Sequence, residues 1–320
     1  MSRHEQVLVL NRAALEGLAL SWRDIIDVLS GAFAQKAAGQ VQNPPKPKVV
    51  SREESFFNAM PAYLGGSDRV GLKWVSGFES NHALGLPYIY GTMILNDAGT
   101  GRPLALLDGG WLTEVRTPGV SGVAMRQFDR TPRRLAVLGA GVQGRGHLDV
   151  ALAVHSGIEE VVAFDGREEA AADLLSEAGD RRTRVASSAE DAVDGADLVI
   201  TCLTRRMDPQ LDCAGADEDA FLLPVDYDDA MGAGAINEAS FFAVDDPDQY
   251  RTVRGRGHNF QDLVEPAHEL ADVVSGTVTP PTAGRRVYLN MGLALADVAL
   301  AGLCLDRARE LGAGQQVDFP

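Results

Sequence analysis

Arg134–His147 reads RLAVLGAGVQGRGH, and this stretch decides the fold. Leu135 to Leu138 form an unbroken apolar run, the pattern of a strand buried on both faces. Gly139, Gly141 and Gly144 follow as G-x-G-x-x-G and open a helix that continues to His155. A second apolar run, Val161–Asp165 (VVAFD), ends on an acidic residue, at the spacing of about 20 residues expected of a dinucleotide site. In such a site Gly139 permits the tight turn, Gly141 lets a pyrophosphate approach the backbone, and Gly144 lets the helix pack on the strand. Val142 and Gln143 lie inside the turn and belong to the same site. The helix N-terminus turns partial positive charge toward phosphates. Asp165 suits the ribose hydroxyls and repels a 2′-phosphate, which favours NAD over NADP. Arg167 lies two residues further on and could hold that phosphate, so NADP stays possible.

Working outward, the strand–helix rhythm continues downstream. Arg167–Glu177 reads as a helix and Arg184–Ala186 as a strand. Ser188 caps a short helix, and Leu198–Leu203, Phe221–Tyr227 and Phe241–Asp245 read as further strands. Strands alternating with helices at this spacing predict parallel βαβ units. Upstream the pattern differs. Ser21 caps a helix whose Trp22, Ile25, Ile26, Leu29 and Phe33 recur at helical spacing up to Gly39. Gln42–Lys48 (QNPPKPK) is a proline-interrupted connector, and Val49–Tyr88 mixes short β-like runs with turns. Tyr88–Asn96 and LALLDG form a hairpin, and Thr113–Phe128 a helix of small residues. After a loop over 261–285 rich in Pro, Thr and Gly, Arg286–Leu311 reads as one apolar helix ending at Gly312. The fold class is therefore α/β: a Rossmann-type doubly wound parallel sheet over 129–282, plus a discontinuous α+β domain made of 1–128 and 283–320.

The chain has 320 residues and a net charge of −16. A surface this acidic repels phosphate backbones and anionic lipid, so nucleic-acid and membrane-surface partners are excluded. Three scattered cysteines offer neither a zinc spacing nor a disulfide framework and point to a cytoplasmic protein. Polar residues interrupt the apolar N-terminal stretch, so no signal peptide is expected. The apolar run Met291–Leu305 is broken by Asp297 and is too short to span a bilayer. The histidines form no ligand spacing, so no metal is expected.

Five segments together resemble the ornithine cyclodeaminase/μ-crystallin family: MPAY (Met60–Tyr63), LKWVSGF (Leu72–Phe78), EVRT (Glu114–Thr117), VLGAGVQGRGH (Val137–His147) and NMGLALADVA (Asn290–Ala299). The resemblance implies a homodimer with a substrate and dimerisation domain and a Rossmann domain. It also implies hydride exchange between a nicotinamide and an α-carbon bearing nitrogen and carboxylate.

Carried over residue by residue, Lys73 matches the family's catalytic lysine and Arg116 the arginine that grips the substrate carboxylate. Thr117 joins the cofactor residues. The catalytic aspartate falls in PVDYDDAM, where Asp226, Asp228 and Asp229 are candidates and counting from the strand start favours Asp228. Lys48 stands where a second carboxylate-binding arginine is usual. Met60 and Asn58 fall in the substrate pocket, Asn58 where ornithine cyclodeaminase has an acid for the distal amine. A neutral amide cannot pair with an ammonium, so the substrate expected is a small amino or imino acid without a distal cation. The family's Glu-Asp pair reads Ala296-Asp297 here, and the arginines of TRRMDP (Thr204–Pro209) have no counterpart. Two activities are implied: an NAD-dependent oxidoreductase or cyclodeaminase, or a non-catalytic protein binding NAD(P)H and a small ligand.

Overall fold

The computed structural model describes residues 5–127 and 130–319. It divides into two compact units, Met1–Arg116 with Leu293–Pro320 and Thr117–Gly292. The first division falls inside the helix Gly109–Met125, between Arg116 and Thr117. The helix end expected at Phe128 lies outside the described residues.

The first unit is built on an eight-stranded mixed sheet. Its centre is three long antiparallel strands, Ser55–Leu64, Arg69–Phe78 and Ile89–Asp97, the last returning in the expected hairpin as Pro103–Asp108. Where short runs were expected over 49–88, two ten-residue strands form. Met60, Ala62 and Leu64 alternate inward along the first of them. Two helices pack on this sheet. Trp22–Ala37 begins in a reciprocal capping box between Ser21 and Asp24 and buries Ile25, Ile26, Leu29 and Phe33, as the spacing required. Ala294–Leu311 is apolar almost all round, is buried along most of its length, and ends on left-handed Gly312. The chain preceding it was expected to be helical from Arg286 but is a strand, Arg286–Leu289, that belongs to the other unit. Its Val287, Tyr288 and Leu289 satisfy helical and extended patterns equally, and pairing with two strands decides the matter.

The second unit is a wholly parallel eight-stranded sheet. The strands run, side by side, Arg182–Val185, Glu160–Phe164, Arg134–Leu138, Leu198–Thr201, Phe221–Pro224, Arg286–Leu289, Phe241–Val244 and His268–Glu269. Chain order reverses direction at the pair Arg134–Leu138 and Leu198–Thr201, and in open sheets of this kind the crevice at such a point takes the ligand. No helix among the described residues is long and apolar enough to cross a membrane.

Candidate active site

At the switch point the strand Arg134–Leu138 runs into Gly139, which holds a φ of 96°. A Cβ there would lie 2.5 Å from the Cys202 carbonyl oxygen, so only glycine fits between the two strand ends. A Cβ on Gly144 would sit 1.9 Å from the Gly139 oxygen, which fixes how closely the helix Val142–Val154 starts against the strand. A Cβ on Gly141 would meet no protein atom within 4 Å. Two of the three glycines therefore serve the fold and the middle one faces open space, as a cradle for a pyrophosphate requires. Val142 is exposed beside it.

Beneath this turn lies a buried polar chain. His147 is fully buried, and its Nδ1 is 2.7 Å from the Gln143 carbonyl, which can only accept; Nδ1 is thus the protonated nitrogen. Nε2 then accepts from Ser121 Oγ at 2.9 Å, and Ser121 accepts from Asn290 Nδ2 at 3.1 Å. Asn290 also donates to the Thr117 carbonyl, 3.0 Å away. Thr117 is thus placed in the buried framework of this unit. Asp165 accepts from Ala140 N (2.8 Å) and Arg167 N (2.9 Å), which ties the acidic strand end to the glycine turn. The Arg167 side chain is largely exposed, with Nε 3.6 Å from Asp165.

The three candidate aspartates of PVDYDDAM part company. Asp226 accepts from Thr201 Oγ1 and Leu203 N, both at 2.8 Å, and burial pushes its carboxyl up to about 7. Tyr227 takes a left-handed φ of 62°, an uncommon strain for a non-glycine residue. Asp228 is 3% exposed and accepts from Asn259 Nδ2 (2.9 Å), Phe260 N (3.2 Å) and Arg206 Nη1 (3.1 Å). These three partners can only donate, so its carboxylate is held as an acceptor. Asp229 is 3.9 Å from Arg206 and is raised by burial and by the neighbouring Asp228. TRRMDP, without a role from the sequence, thus supplies the arginine that clasps Asp228.

The first unit gathers a different cluster. Lys73 sits mid-strand opposite Met60 and Met93 and points to the inner face. It is fully buried. Gly91 and Gly109 let the helix Gly109–Met125 begin directly against the strand Ile89–Asp97, since a Cβ on Gly109 would lie 2.7 Å from the Gly91 carbonyl carbon. That approach sets Thr113 and Arg116 on the same face. Lys73 Nζ donates to Thr113 Oγ1 (2.9 Å) and to Asp297 Oδ1 (2.5 Å). Arg116 Nε donates to the same Oδ1 at 3.2 Å. Asp297 is fully buried and lies in the first turn of Ala294–Leu311, where the helix dipole favours a carboxylate. Burial lowers Lys73 to about 7; Asp297 opposes that shift, while Arg116 and Lys46 reinforce it.

The structure brings Lys73, Arg116 and Met60 to one place, with Asn58 one pair along the same sheet face and its Oδ1 buried without a partner. Lys48 pairs with Asn58 across the sheet but does not join the buried cluster. Lys48 is exposed, with Nζ 6.0 Å from the Phe56 ring centre, whereas Lys46, two residues earlier, is buried. The sequence missed Lys46 because both lysines sit in a proline-rich connector without periodicity. It noted Asp297 only as the surviving half of a pair.

A model of the ornithine cyclodeaminase/mu-crystallin family matches residues 5–312. The chain belongs to that family. It is 29% identical to the nodulation efficiency protein NfeD of Rhizobium meliloti, over 97% of this chain and 98% of that one. Among solved structures, it resembles Delta(1)-pyrroline-2-carboxylate reductase of Thermococcus litoralis, solved with NADH and L-proline. The TM-score is 0.86 and identity 26%, over 97% of this chain and 100% of that one. An archaeal alanine dehydrogenase dimer with bound NAD matches with the same score and identity, over 99% and 100%. The two solved relatives are a reductase and a dehydrogenase of imino or amino acids with NADH or NAD bound, and their fold is the one described above.

Proposed function

We propose that this protein catalyses hydride transfer at the α-carbon of a small amino or imino acid, with reduction of a monocarboxylate imine as the favoured direction. NAD(H) is its cofactor, and when bound it supplies or accepts the hydride. The observation that carries this reading is the buried Lys73–Asp297–Arg116 cluster, two cations against one carboxylate. With Lys73 protonated, its two cations exceed its single anion by one, which suits a substrate carboxylate.

Arg116 commits Nε to Asp297, and its Nη1 and Nη2 have no hydrogen-bond partner among the described residues. Those two donors suit a bidentate grip on the carboxylate. Lys73 stands close to neutral pH, so it can give a proton to the imine nitrogen as hydride arrives and recover it afterwards. Asp228, fixed by three donors, serves as an acceptor for the substrate nitrogen or a water. Gly139–Gly144, with Val142 and Gln143, hold the pyrophosphate, and Asp165 the ribose. Asn58, neutral, gives a distal ammonium no counter-charge, which disfavours ornithine. The opposite sheet face carries Phe57 stacked on Trp74, with Trp74 and Tyr90 both exposed. A second copy of the chain covers this face in the proposed homodimer.

The test is NADH oxidation with a panel of cyclic and open-chain imines, with products identified by mass spectrometry. Turnover of a monocarboxylate imine is expected, with ornithine poor. Quenching of NADH fluorescence without turnover of any substrate would overturn the catalytic reading and leave a binding protein.

A further inference from the structure

We propose that Asp297 is the positioning residue of this site: by holding Lys73 and Arg116 at a single carboxylate oxygen it fixes both cations and favours the ammonium form of the lysine. The inference rests on the proposed function and concerns a residue that acts through Lys73 and Arg116.

The geometry carries it. Both cations converge on Oδ1, at 2.5 and 3.2 Å, and Oδ2 is buried with no donor among the described residues. Asp297 has no other hydrogen bond or ion pair among the described residues, so holding these two groups is its whole polar engagement. Two like charges drawn to one oxygen would repel if the carboxylate were lost. The groups facing Lys73 from each packed element are few. The helix Gly109–Met125 presents Thr113 and Arg116, the connector brings Lys46, and the flanking strands place Met60 and Met93 opposite. Asp297 is therefore the one acid paired with Lys73 among the described residues. Thr113 cannot replace it, because its hydroxyl proton goes to the Gly109 carbonyl at 2.7 Å and it offers only a neutral acceptor.

The consequence is a specific division of labour. With Asp297 present, Lys73 loses its proton near pH 7. Without that charge, burial and the two remaining cations all push the same way, and the ammonium is lost at lower pH. Arg116 stays charged but loses its tether, so its fork is no longer aimed.

The experiment compares wild type with Asp297→Asn, which keeps shape and removes charge, in the full chain with NADH. The alkaline limb of kcat/KM should move down by about one pH unit or more. The KM for the imine should rise about tenfold, while NADH affinity stays unchanged. Binding of pyrrole-2-carboxylate, a planar carboxylate probe, read by NADH fluorescence, should show the same pH displacement without any turnover. That arm separates this inference from the proposed function: the displacement can appear in a protein that reduces no imine. A uniform loss at every pH, with the limb unmoved, overturns the proposal. If Asp297→Asn does not fold, the triple variant Lys73→Met, Arg116→Met and Asp297→Asn should fold, because neither cation is then left buried without its carboxylate. A triple variant equally unfolded also overturns it.

Discussion

The glycine turn and the lysine–arginine–aspartate cluster are assembled by opposite means. In the parallel sheet, the proposed site is built from backbone within about 30 consecutive residues, the length of a βαβ unit: a positive φ at Gly139, a close approach at Gly144, an open side at Gly141 and the Asp165 carboxylate accepting directly from Ala140 N. In the mixed sheet it is built from side chains 224 residues apart in sequence, Lys73 and Asp297, on a strand and a helix that only the folded core brings together. Backbone sites tolerate side-chain change where no Cβ intrudes. Side-chain sites in a buried cluster tolerate almost none, because each charge is held by another.

The largest effect tests the side-chain half. Lys73→Met should cut imine turnover about a thousandfold, the size expected when a general acid is lost, with NADH binding unchanged. Near-normal turnover would break the comparison at its centre. Next, the two glycines of the turn should separate. Gly144→Ala forces a Cβ onto the Gly139 oxygen and should lower stability by about 3 kcal/mol and abolish NADH binding. Gly141→Ala should melt like wild type and weaken NADH about tenfold, one factor of ten being about 1.4 kcal/mol. Equal melting points for the two variants would show that the turn is not packed as described.

A smaller effect is expected at Asp165→Ala. NADH affinity should fall several-fold and NADPH affinity hold or improve, measured by fluorescence titration, since the carboxylate favours ribose and repels phosphate. An unchanged preference would move ribose recognition elsewhere. The gentlest test is pH. Lys73 holds its proton below about 7, so the protonated acid dominates there, and imine reduction should be half lost near that pH and decline above it. The reverse oxidation needs the free base and should rise over the same interval. A flat profile across neutrality would remove Lys73 from proton transfer.

Most of the parallel half was legible because its signals are local. The strand, glycine spacing, helix and acid at Leu135–Asp165 each follow from neighbours in sequence, and Ser188 caps its helix by accepting from Asp191 N as expected. The mixed half was legible in its motifs and less so in its extent. The strands Ser55–Leu64 and Arg69–Phe78 have interruptions, Pro61 and Gly71, that look like breaks until ten paired positions hold them straight. Among the candidate aspartates, spacing singled out Asp228 but could not tell its three donors from the loop-end clasp made by Asp226.

By itself the sequence determined the α/β class and the glycine turn, which are written in short-range pattern, and the family, whose resemblance singled out the cations at positions 73 and 116. Only tertiary structure decided that Arg286–Leu289 is a strand, that Lys46 and not Lys48 is buried, and that Asp297 joins both cations. Those outcomes depend on which distant surfaces exclude water together, and burial of that kind leaves no periodicity in the chain.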